Sequence, residues 1–360
     1  MNKRLLDISW EDYSALSLSE KLPYLCQRNG LPFHTLFAQQ FDGQLIDRLA
    51  NLANAIRGIS KTRTGTLFLR DLVCHKRAML YFSQPSSRTF LSFLSACQLL
   101  GVQIGEVRDT ATSSEFKGES KEDSVRTFSS YFDLIIMRSR EKGLAERMAW
   151  VFSNAVRQVP IINAGSGKDQ RPTQALLDIY TLLRSFDRSG GLRDRTVSFV
   201  GDLARGRTVR SLSRLLTNYP NISQIFVAPS QLQIGQDILD DLKEKGVSYS
   251  LTDDLRLAVS KSDAVYMTRI QDEWDNKQGE SQEIDTSRFV FGTEELKLLK
   301  PTGVILHPLP RRNEIDVAVD ADPRAMYWRQ MRNGMWIRAA LIAETFGCGK
   351  RIFDYYSHNL

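Results

Sequence analysis

The sequence has 360 residues, 42% of them apolar and 25% charged, which is the composition of a soluble globular protein with room for two domains. Its formal net charge is +6, from 48 basic and 42 acidic side chains, and it contains no polybasic tract. This mild surplus suits small anionic substrates and argues against a nucleic-acid partner, and no apolar run approaches the length of a membrane span.

The cysteines and histidines show no pattern typical of a disulfide framework or a metal site. The four cysteines are scattered without paired spacing, and none of the four histidines has the spacing of metal ligands. The N-terminal residues lack the apolar core of a signal peptide. We therefore expect a protein of the reducing cytoplasm, with no bound metal and no association with a membrane.

The first half of the chain alternates predicted strands and helices after a polar lead-in over residues 1–32, which contains a short predicted helix near 16–27. Apolar residues on one face predict a helix over Phe41–Ile59. The other predicted elements of this half are strands near 78–82, 104–108, 133–137 and 159–163 and helices near 87–100, 121–131, 143–155 and 172–185.

The charged, glycine-containing segment Ser185–Arg195 is predicted to be a surface connection to a second alternating series. The predicted elements of this series are strands near 196–201, 223–228, 246–251, 263–268 and 303–307, helices near 207–217, 231–245 and 253–260, and a final helix over about 324–346. Strict alternation predicts an α/β fold with two doubly wound parallel-sheet domains. Ligands of such sheets bind outside the carboxyl ends of the strands, so polar residues there are candidate site residues.

The first candidate site is the turn Ser86-Ser87-Arg88-Thr89, which begins a predicted helix after a buried strand. The first turn of a helix presents unsatisfied N–H groups and the positive end of the helix dipole, and here hydroxyls and a guanidinium are added. This combination predicts a phosphate site. Alternatively, Ser86 only caps the helix while Arg88 faces solvent. The stretch alone does not decide between the two interpretations.

Three further clusters of the first half lie at predicted strand ends. The loop Ser113–Glu119 carries Lys117, although such a loop is more often simply solvated. Arg138 ends an apolar strand, where an arginine can also form a surface ion pair. Arg171 and Gln174 follow a glycine-rich turn and begin an apolar helix, which directs them to the same edge as the first cluster.

Two more clusters lie at strand ends of the second half. The turn 200–208, which contains Arg207, is similar to a dinucleotide-binding turn but lacks its three glycines and its ribose-binding acid, so a nicotinamide site is disfavoured. The second cluster pairs two strand ends: Arg269 and Gln271 follow the predicted strand near 263–268, and His307 ends the one near 303–307. In His307–Pro310, two prolines make a stiff bend whose carbonyl groups would point into a cleft.

Together these clusters predict that many cations face one cleft. Such a set would repel itself unless anions bind between its members, so we expect substrates with several negative charges. No histidine, cysteine or pair of carboxylates presents itself there as a nucleophile. Catalysis would then depend on positioning and on electrostatic stabilisation, without a covalent intermediate.

The order of these motifs resembles that of the transcarbamylases over about residues 35–347. The motifs are Ser-Ser-Arg88-Thr, Lys117-Gly-Glu, Arg138, Pro-Thr-Gln174, Gly-Asp-x-x-x-Gly-Arg207-Thr, Thr-Arg269-x-Gln271 and His307-Pro-Leu-Pro. Within the family the chain resembles the aspartate enzymes most, because ornithine enzymes carry a cysteine where Pro308 stands. The resemblance implies transfer of the carbamoyl group of carbamoyl phosphate to L-aspartate, a reaction of pyrimidine biosynthesis that needs no cofactor.

The resemblance also implies a domain division and a role for each motif. It implies an N-terminal extension over 1–34, a carbamoyl-phosphate-binding domain over 35–184, an aspartate-binding domain over 185–325 and a C-terminal helix over 326–360 that packs back on the first domain. The implied phosphate ligands are Ser86, Ser87, Arg88, Thr89 and Arg138. Thr89 and Gln174 would also hold the carbamoyl group. The implied aspartate ligands are Arg207, Arg269, Gln271 and the backbone of Pro308 and Leu309.

In this family a serine and a lysine come from the neighbouring subunit of a homotrimer, and here they fall on Ser113 and Lys117. Lys117 would contact both substrates. The resemblance leaves the attachment of regulatory chains open.

Arg171 is the main departure from the family pattern, which has a histidine there that donates to the carbamoyl oxygen. An arginine also donates, but it is longer and always charged. Lesser departures are Ser87 for threonine, Gln84 for a frequent acid and Phe90 for a frequent arginine. Three hypotheses follow: an active enzyme in which Arg171 replaces the histidine or swings aside, a weakened relative that serves as a binding or scaffold subunit, and transfer to another amino acid.

Overall fold

A computed structural model of the protein describes residues 4–25, 31–108, 118–165, 171–271, 285 and 287–359. The chain forms two compact units. Unit 1 consists of Met1–Thr173 together with Gly334–Leu360, and unit 2 consists of Gln174–Asn333. Each unit contains one sheet with all strands parallel, which confirms the predicted α/β class with two parallel-sheet domains. Among the described residues, no helix is both long and apolar enough to cross a membrane.

Unit 1 is built on a four-stranded sheet in the order β2-β1-β3-β4. Its strands are β1 (Arg77–Phe82), β2 (Gln103–Val107), β3 (Leu134–Arg138) and β4 (Ile161–Asn163). Its helices are α1 (Trp10–Ala15), α2 (Leu18–Lys21), α3 (Gly43–Ile59), α4 (Arg63–Asp71), α5 (Ser87–Leu99), α6 (Lys121–Tyr131), α7 (Leu144–Ser153) and α14 (Gly349–Asn359). Strands β1, β3 and β4 are largely buried because apolar residues face both sides of the sheet, whereas the edge strand β2 is only partly buried.

Unit 2 is built on a five-stranded sheet in the order β7-β6-β5-β8-β9. Its strands are β5 (Thr196–Val200), β6 (Ser223–Val227), β7 (Ser248–Thr252), β8 (Ala264–Met267) and β9 (Val304–Leu306). Its helices are α9 (Arg207–Leu216), α10 (Gln236–Glu244), α11 (Leu255–Lys261) and α12 (Thr293–Leu298). Two helices, α8 (Pro172–Phe186) and α13 (Tyr327–Thr345), contain residues of both units.

The two units divide within these two helices, and the predicted domain boundaries stay a prediction. The predicted first boundary, 184/185, lies near the end of α8, whereas the units divide at Thr173/Gln174. The reason is that α8 residues such as Asp178 bond to β8 of unit 2. The predicted boundary at 325/326 likewise precedes α13, whose first part bonds to the loop after β9.

The N-terminal segment packs on α7. The indole Nε1 of Trp150 donates to the carbonyl oxygen of Ile8 at 3.0 Å, and Lys21 Nζ lies 2.6 Å from Glu146 Oε1. The ring of Tyr13 is completely buried. The lead-in, for which the sequence indicated no role, is thus part of the unit 1 core.

The C-terminal segment differs from the prediction because the last helix is followed by another. The long helix α13 ends at Thr345, and Gly347, with φ of 70°, redirects the chain into α14. The ring of Tyr355 on α14 stacks on Phe68 of α4 with 3.9 Å between the centroids. Both α4 and α14 are absent from the predicted elements, and they support each other within unit 1.

A buried histidine joins the segment before α3 to β4. His34 Nδ1 lies 3.1 Å from the amide nitrogen of Ile161, and Nε2 lies 2.9 Å from Ser153 Oγ. Since the amide N–H must donate to Nδ1, the ring proton is on Nε2 and is donated to the serine. Burial lowers the pKa of His34 to about 3, so the ring is neutral in the folded protein.

This histidine makes stability depend on pH. In the unfolded chain His34 takes up a proton near its ordinary pKa of about 6.5, whereas the folded protein does so only near pH 3. The stabilisation is therefore complete above about pH 6.5 and is lost as the pH falls towards 3. We expect the free energy of unfolding to drop by about 2 kcal/mol between about pH 7 and about pH 5 from this group alone.

Urea denaturation at the two pH values measures this loss. The variant His34→Gln should lose about 2 kcal/mol less than wild type over this range, because the buried His307 keeps its own contribution, whereas the exposed His75→Gln should match wild type. Equal pH slopes for wild type and His34→Gln would contradict the assignment.

Candidate active site

The turn Ser86–Thr89 joins β1 to α5 in unit 1. The amide N–H of Phe90 donates to the carbonyl oxygen of Ser86 at 3.0 Å, which makes Ser86 the N-cap residue of α5. Within the described part of the chain, however, the Ser86 hydroxyl accepts no hydrogen bond from the first helical turn. Ser86 thus takes the N-cap position without a side-chain cap, and Arg88 is exposed, so the phosphate site at this turn stays a prediction.

Arg138 lies beside this turn. It ends β3 in register with Phe82, the last residue of β1, and its carbonyl oxygen accepts the amide N–H of Gln84 at 3.3 Å. Its side chain is buried, and Nη1 donates to the carbonyl oxygen of Ala164 at 3.3 Å. A surface ion pair, the alternative for this residue, is excluded by its burial. The strand pairing instead brings a buried guanidinium to the loop that begins α5.

Gly165 brings Arg171 to the same place. Its φ of 112° is in the left-handed region, and a Cβ atom there would lie 2.7 Å from Arg138 Nη1 and 3.8 Å from Arg171 Cγ. Asn163 Oδ1 fixes the turn by accepting the amide N–H of Gly165 at 2.8 Å. Arg171, at the usual histidine position, therefore belongs to the Arg138 cluster.

Arg108 is a further cation at this end of unit 1 that the sequence analysis did not single out. It directly follows β2, and its Cζ lies 4.4 Å from the ring centroid of Phe90 on α5. A guanidinium over an aromatic face is held by cation–π attraction. Its position after a strand was the available signal, since the same rule identified Arg138.

In unit 2 a buried aspartate holds two strand ends together. Asp202, completely buried after β5, accepts the amide N–H of Gln271 at 3.0 Å and that of Arg205 at 3.1 Å. Gly201, with φ of 111°, lets the end of β5 lie close to the end of β8, since a Cβ atom at Gly201 would lie 2.3 Å from the carbonyl oxygen of Thr268. Asp202 belongs to the motif Gly-Asp-x-x-x-Gly-Arg207-Thr, and its place as an acid among cations is the sequence signal for this structural role.

This arrangement places the predicted aspartate ligands at the carboxyl edge of the unit 2 sheet. Arg207 is the first residue of α9, after β5. Arg269 and Gln271 follow β8, the neighbour of β5, and Arg269 Nη1 donates to the carbonyl oxygen of Ile270 at 2.7 Å. The pairing of β8 with β9 adds the turn His307–Pro310 to the same edge.

His307 holds that turn and does not point a free nitrogen at a substrate. Its Nδ1 accepts the amide N–H of Leu309 at 2.7 Å, and Nε2 lies 2.7 Å from Glu314 Oε1. The ring proton is therefore on Nε2, directed at the carboxylate. Burial lowers the pKa of His307 despite the opposing effect of Glu314. Leu309 has φ of 54°, and the Leu309–Pro310 peptide bond is cis.

Within unit 1 the structure therefore brings together Ser86–Thr89, Arg138 and Arg171. Within unit 2 it brings Arg207, Arg269, Gln271, Pro308 and Leu309 to one sheet edge. Gln174 also belongs to unit 2, near the start of α8. Ser113 and Lys117 lie outside the described residues. That both clusters serve one cleft stays a prediction. In the part of the chain that the structure describes, no group of three His, Cys, Asp or Glu residues is placed to hold a metal ion.

Comparison with known proteins gives a match for each half of the chain. The family model of the aspartate/ornithine carbamoyltransferase carbamoyl-P binding domain matches residues 34–184. The model of the Asp/Orn binding domain of the same family matches residues 193–345.

Relatives and solved structures agree with these matches. Aspartate carbamoyltransferase 1, chloroplastic, of Pisum sativum is 40% identical over 309 residues, 85% of this chain and 76% of that protein. The aspartate carbamoyltransferase catalytic subunit of Vibrio vulnificus is 42% identical over 279 residues, 76% of this chain and 86% of that protein. The structure of the Trypanosoma cruzi aspartate transcarbamoylase with N-(phosphonacetyl)-L-aspartic acid has a TM-score of 0.77 at 35% identity, over 86% of this chain and 94% of that chain.

Proposed function

The chain belongs to the aspartate/ornithine carbamoyltransferase family, and on that basis we propose that it transfers the carbamoyl group of carbamoyl phosphate to the amino group of L-aspartate. The products are N-carbamoyl-L-aspartate and phosphate, and the reaction is a step of pyrimidine and UMP biosynthesis. The observation that carries the proposal is the unit 1 cluster, in which a buried arginine lies beside a helix N-terminus rich in hydroxyl groups. The Pisum sativum and Vibrio vulnificus relatives, at 40% and 42% identity, are both named aspartate carbamoyltransferases.

Each candidate residue has a role in this reaction. Arg88 and Arg138, with the hydroxyls of the Ser86–Thr89 turn, hold the phosphate, and Thr89 and Gln174 hold the carbamoyl group. Arg207, Arg269 and Gln271 hold the aspartate carboxylates, and the backbone of Pro308 and Leu309 takes its amino end. Ser113 and Lys117 reach the site from a neighbouring subunit.

The mechanism depends on charge stabilisation. The neutral amine of aspartate attacks the carbamoyl carbon, the carbonyl oxygen becomes an oxyanion, and the bond to phosphate then breaks. Donors around that oxygen lower the barrier, because they are in place before the charge develops. The departing phosphate takes the amine proton. His307 does not compete for this task, because both of its ring nitrogens are engaged with Leu309 and Glu314.

Arg171 takes the place of the family's histidine as donor to the carbamoyl oxygen. Its charge is permanent, so it would stabilise the oxyanion at every pH at which the protein is folded. An assay of carbamoyl phosphate with aspartate, ornithine or acetylated ornithine tests the reaction and its acceptor. We expect turnover with aspartate by the native chain, and Arg171→His should keep activity within about tenfold, since either side chain donates one hydrogen bond.

The second candidate function, a weakened relative used as a binding or scaffold subunit, is favoured by the same arginine, which adds charge to a cationic pocket. If the native chain is inert and Arg171→His turns over, this alternative replaces the first. Turnover only with another amino acid would replace aspartate as the acceptor.

Assembly into a homotrimer is part of the proposal. If Lys117 serves a neighbour's site, then each trimer that contains both Lys117→Ala and Arg88→Ala chains should have about one intact site in three. Trimers of either variant alone should be inert. Activity of the mixture, measured after subunit exchange, checks this. No recovery from mixtures that are still trimeric would mean that each site is built from one chain.

The cytoplasmic location stays a prediction, and the plant relatives are named as chloroplastic.

A further inference from the structure

A buried carboxylate lies one helical turn after Gln174 and accepts hydrogen bonds from three directions within unit 2. Asp178 on α8 has no exposed surface. Its Oδ1 accepts from Gln174 Nε2 at 2.9 Å and from Gln330 Nε2, on α13, at 2.6 Å. Its Oδ2 accepts from the hydroxyl of Tyr266, on β8, at 2.7 Å. Burial of a carboxylate is costly unless such donors surround it, so the four side chains form one hydrogen-bonded network.

The carboxylate fixes the orientation of both amides. An ionised carboxylate only accepts hydrogen bonds, so each glutamine must turn its NH₂ group towards Asp178. The oxygen of Gln330 then points the other way and accepts the amide N–H of His307 at 2.9 Å. The oxygen of Gln174 is likewise directed away from Asp178. A flipped amide would set two oxygens against each other, which the buried site disfavours.

We propose that Asp178 and Gln330 are positioning residues that hold the carbamoyl-binding amide of Gln174 and the aspartate-binding turn at His307 in one rigid network. This inference rests on the proposed function. In this network Gln174 directs its amide oxygen away from Asp178, so that this oxygen accepts from the NH₂ end of the carbamoyl group while cationic donors bind the carbonyl oxygen. Gln330 accepts the amide N–H of His307, the first residue of the turn, and the backbone carbonyl groups of Pro308 and Leu309 in that turn bind the amine of aspartate. Neither Asp178 nor Gln330 has to touch a substrate.

The chain offers a matched control for this network. Asn333 Nδ2 on α13 donates to Thr181 Oγ1 on α8 at 3.1 Å. This pair lies three residues further along the same two helices, is also buried, and belongs to the same unit. This bond is distinct from the four-residue network around Asp178, so its loss reports the cost of removing a buried hydrogen bond between α8 and α13.

The test compares Gln330→Met with Asn333→Leu in the full-length protein. Methionine keeps the length of glutamine but leaves Asp178 without one donor and the His307 N–H without its acceptor. We expect kcat/KM for aspartate to fall by at least about tenfold in Gln330→Met and by less than about twofold in Asn333→Leu, at similar losses in melting temperature. The Kd for inorganic phosphate, whose ligands lie in unit 1, should change by less than about twofold in both variants.

The outcomes separate the two proposals. Equal losses of kcat/KM in the two variants, with an active wild type, would overturn the positioning role and leave the proposed function standing. An inert wild type would overturn the proposed function, and the positioning role would fall with it. If Gln330→Met does not fold, Gln330→Asn replaces it, because the shorter amide cannot span Asp178 and His307, and the same tenfold loss is expected.

Discussion

Replacement of Arg138 by methionine should lower kcat/KM by about a thousandfold. The guanidinium is buried beside the Ser86–Thr89 turn, where it would contact the phosphate and stabilise charge as it develops on the departing group. Removal of one such preorganised donor typically costs a factor of about a hundred to a thousand, and here the lost donor is also a buried cation. Methionine has a similar length and no charge, so the change removes the interaction while largely keeping the volume.

Initial rates at varied carbamoyl phosphate concentration, together with calorimetric titration of inorganic phosphate, measure this effect. The control is Arg157→Met. Arg157 is exposed, and its Nη2 lies 2.8 Å from Oδ1 of Asp133, the residue before the first residue of β3. Surface pairs contribute little, so this variant should stay within about twofold of wild type. If both arginine variants lose activity equally, or if Arg138→Met still binds phosphate normally, the phosphate-binding role is wrong.

Replacement of Arg269 by lysine should raise the KM for aspartate by about a hundredfold without changing phosphate affinity. A guanidinium binds a carboxylate through two parallel N–H donors, and an ammonium group supplies a point charge without that fork. The effect should fall on aspartate alone, because Arg269 follows β8 in unit 2 and the phosphate ligands belong to unit 1.

Steady-state kinetics with each substrate varied in turn gives the two constants. Arg256→Lys is the matched control, since Arg256 is an exposed residue of the same unit that pairs with Glu295 at 3.2 Å. Its KM values should be those of wild type. A rise in the KM for carbamoyl phosphate in Arg269→Lys, equal to that for aspartate, would instead indicate a general disturbance of the fold.

The sequence was sufficient for the strands and for most of the helices that connect them, because their apolar residues recur with clear periodicity. It was insufficient where tertiary contacts decide the structure. Helix α4 contains Gly65, and a glycine has a low helix propensity, so the sequence of this segment does not favour a helix. In the fold this glycine is needed, since a Cβ atom there would lie 2.0 Å from the carbonyl oxygen of Ile59. Helix α14 is aromatic and polar, and its packing on α4 was not visible in its own sequence.

The candidate site shows the same division. The rule that ligands bind at the carboxyl ends of strands identified Arg138, Arg207 and Arg269 from one sequence. The side chains that orient these groups were missed. Asp178 stands in an apolar helix and Asp202 in a cationic turn, and their importance depends on partners far away in the chain, such as Gln330 and Gln271. Partners of this kind are specified by folding and not by spacing.

The two helices that belong to both units limit how this protein can be re-engineered. A chimaera that imports a second unit with another acceptor preference would need two junctions, because unit 2 is an internal segment of the chain. Junctions at Thr173 and Asn333 would cut α8 and α13 and expose backbone groups of their inner turns. Junctions after Phe186 and before Tyr327 would keep both helices whole, but the grafted segment would then lack Asp178 and Gln330. A working graft must therefore carry both helices with it, from Pro172 to Thr345.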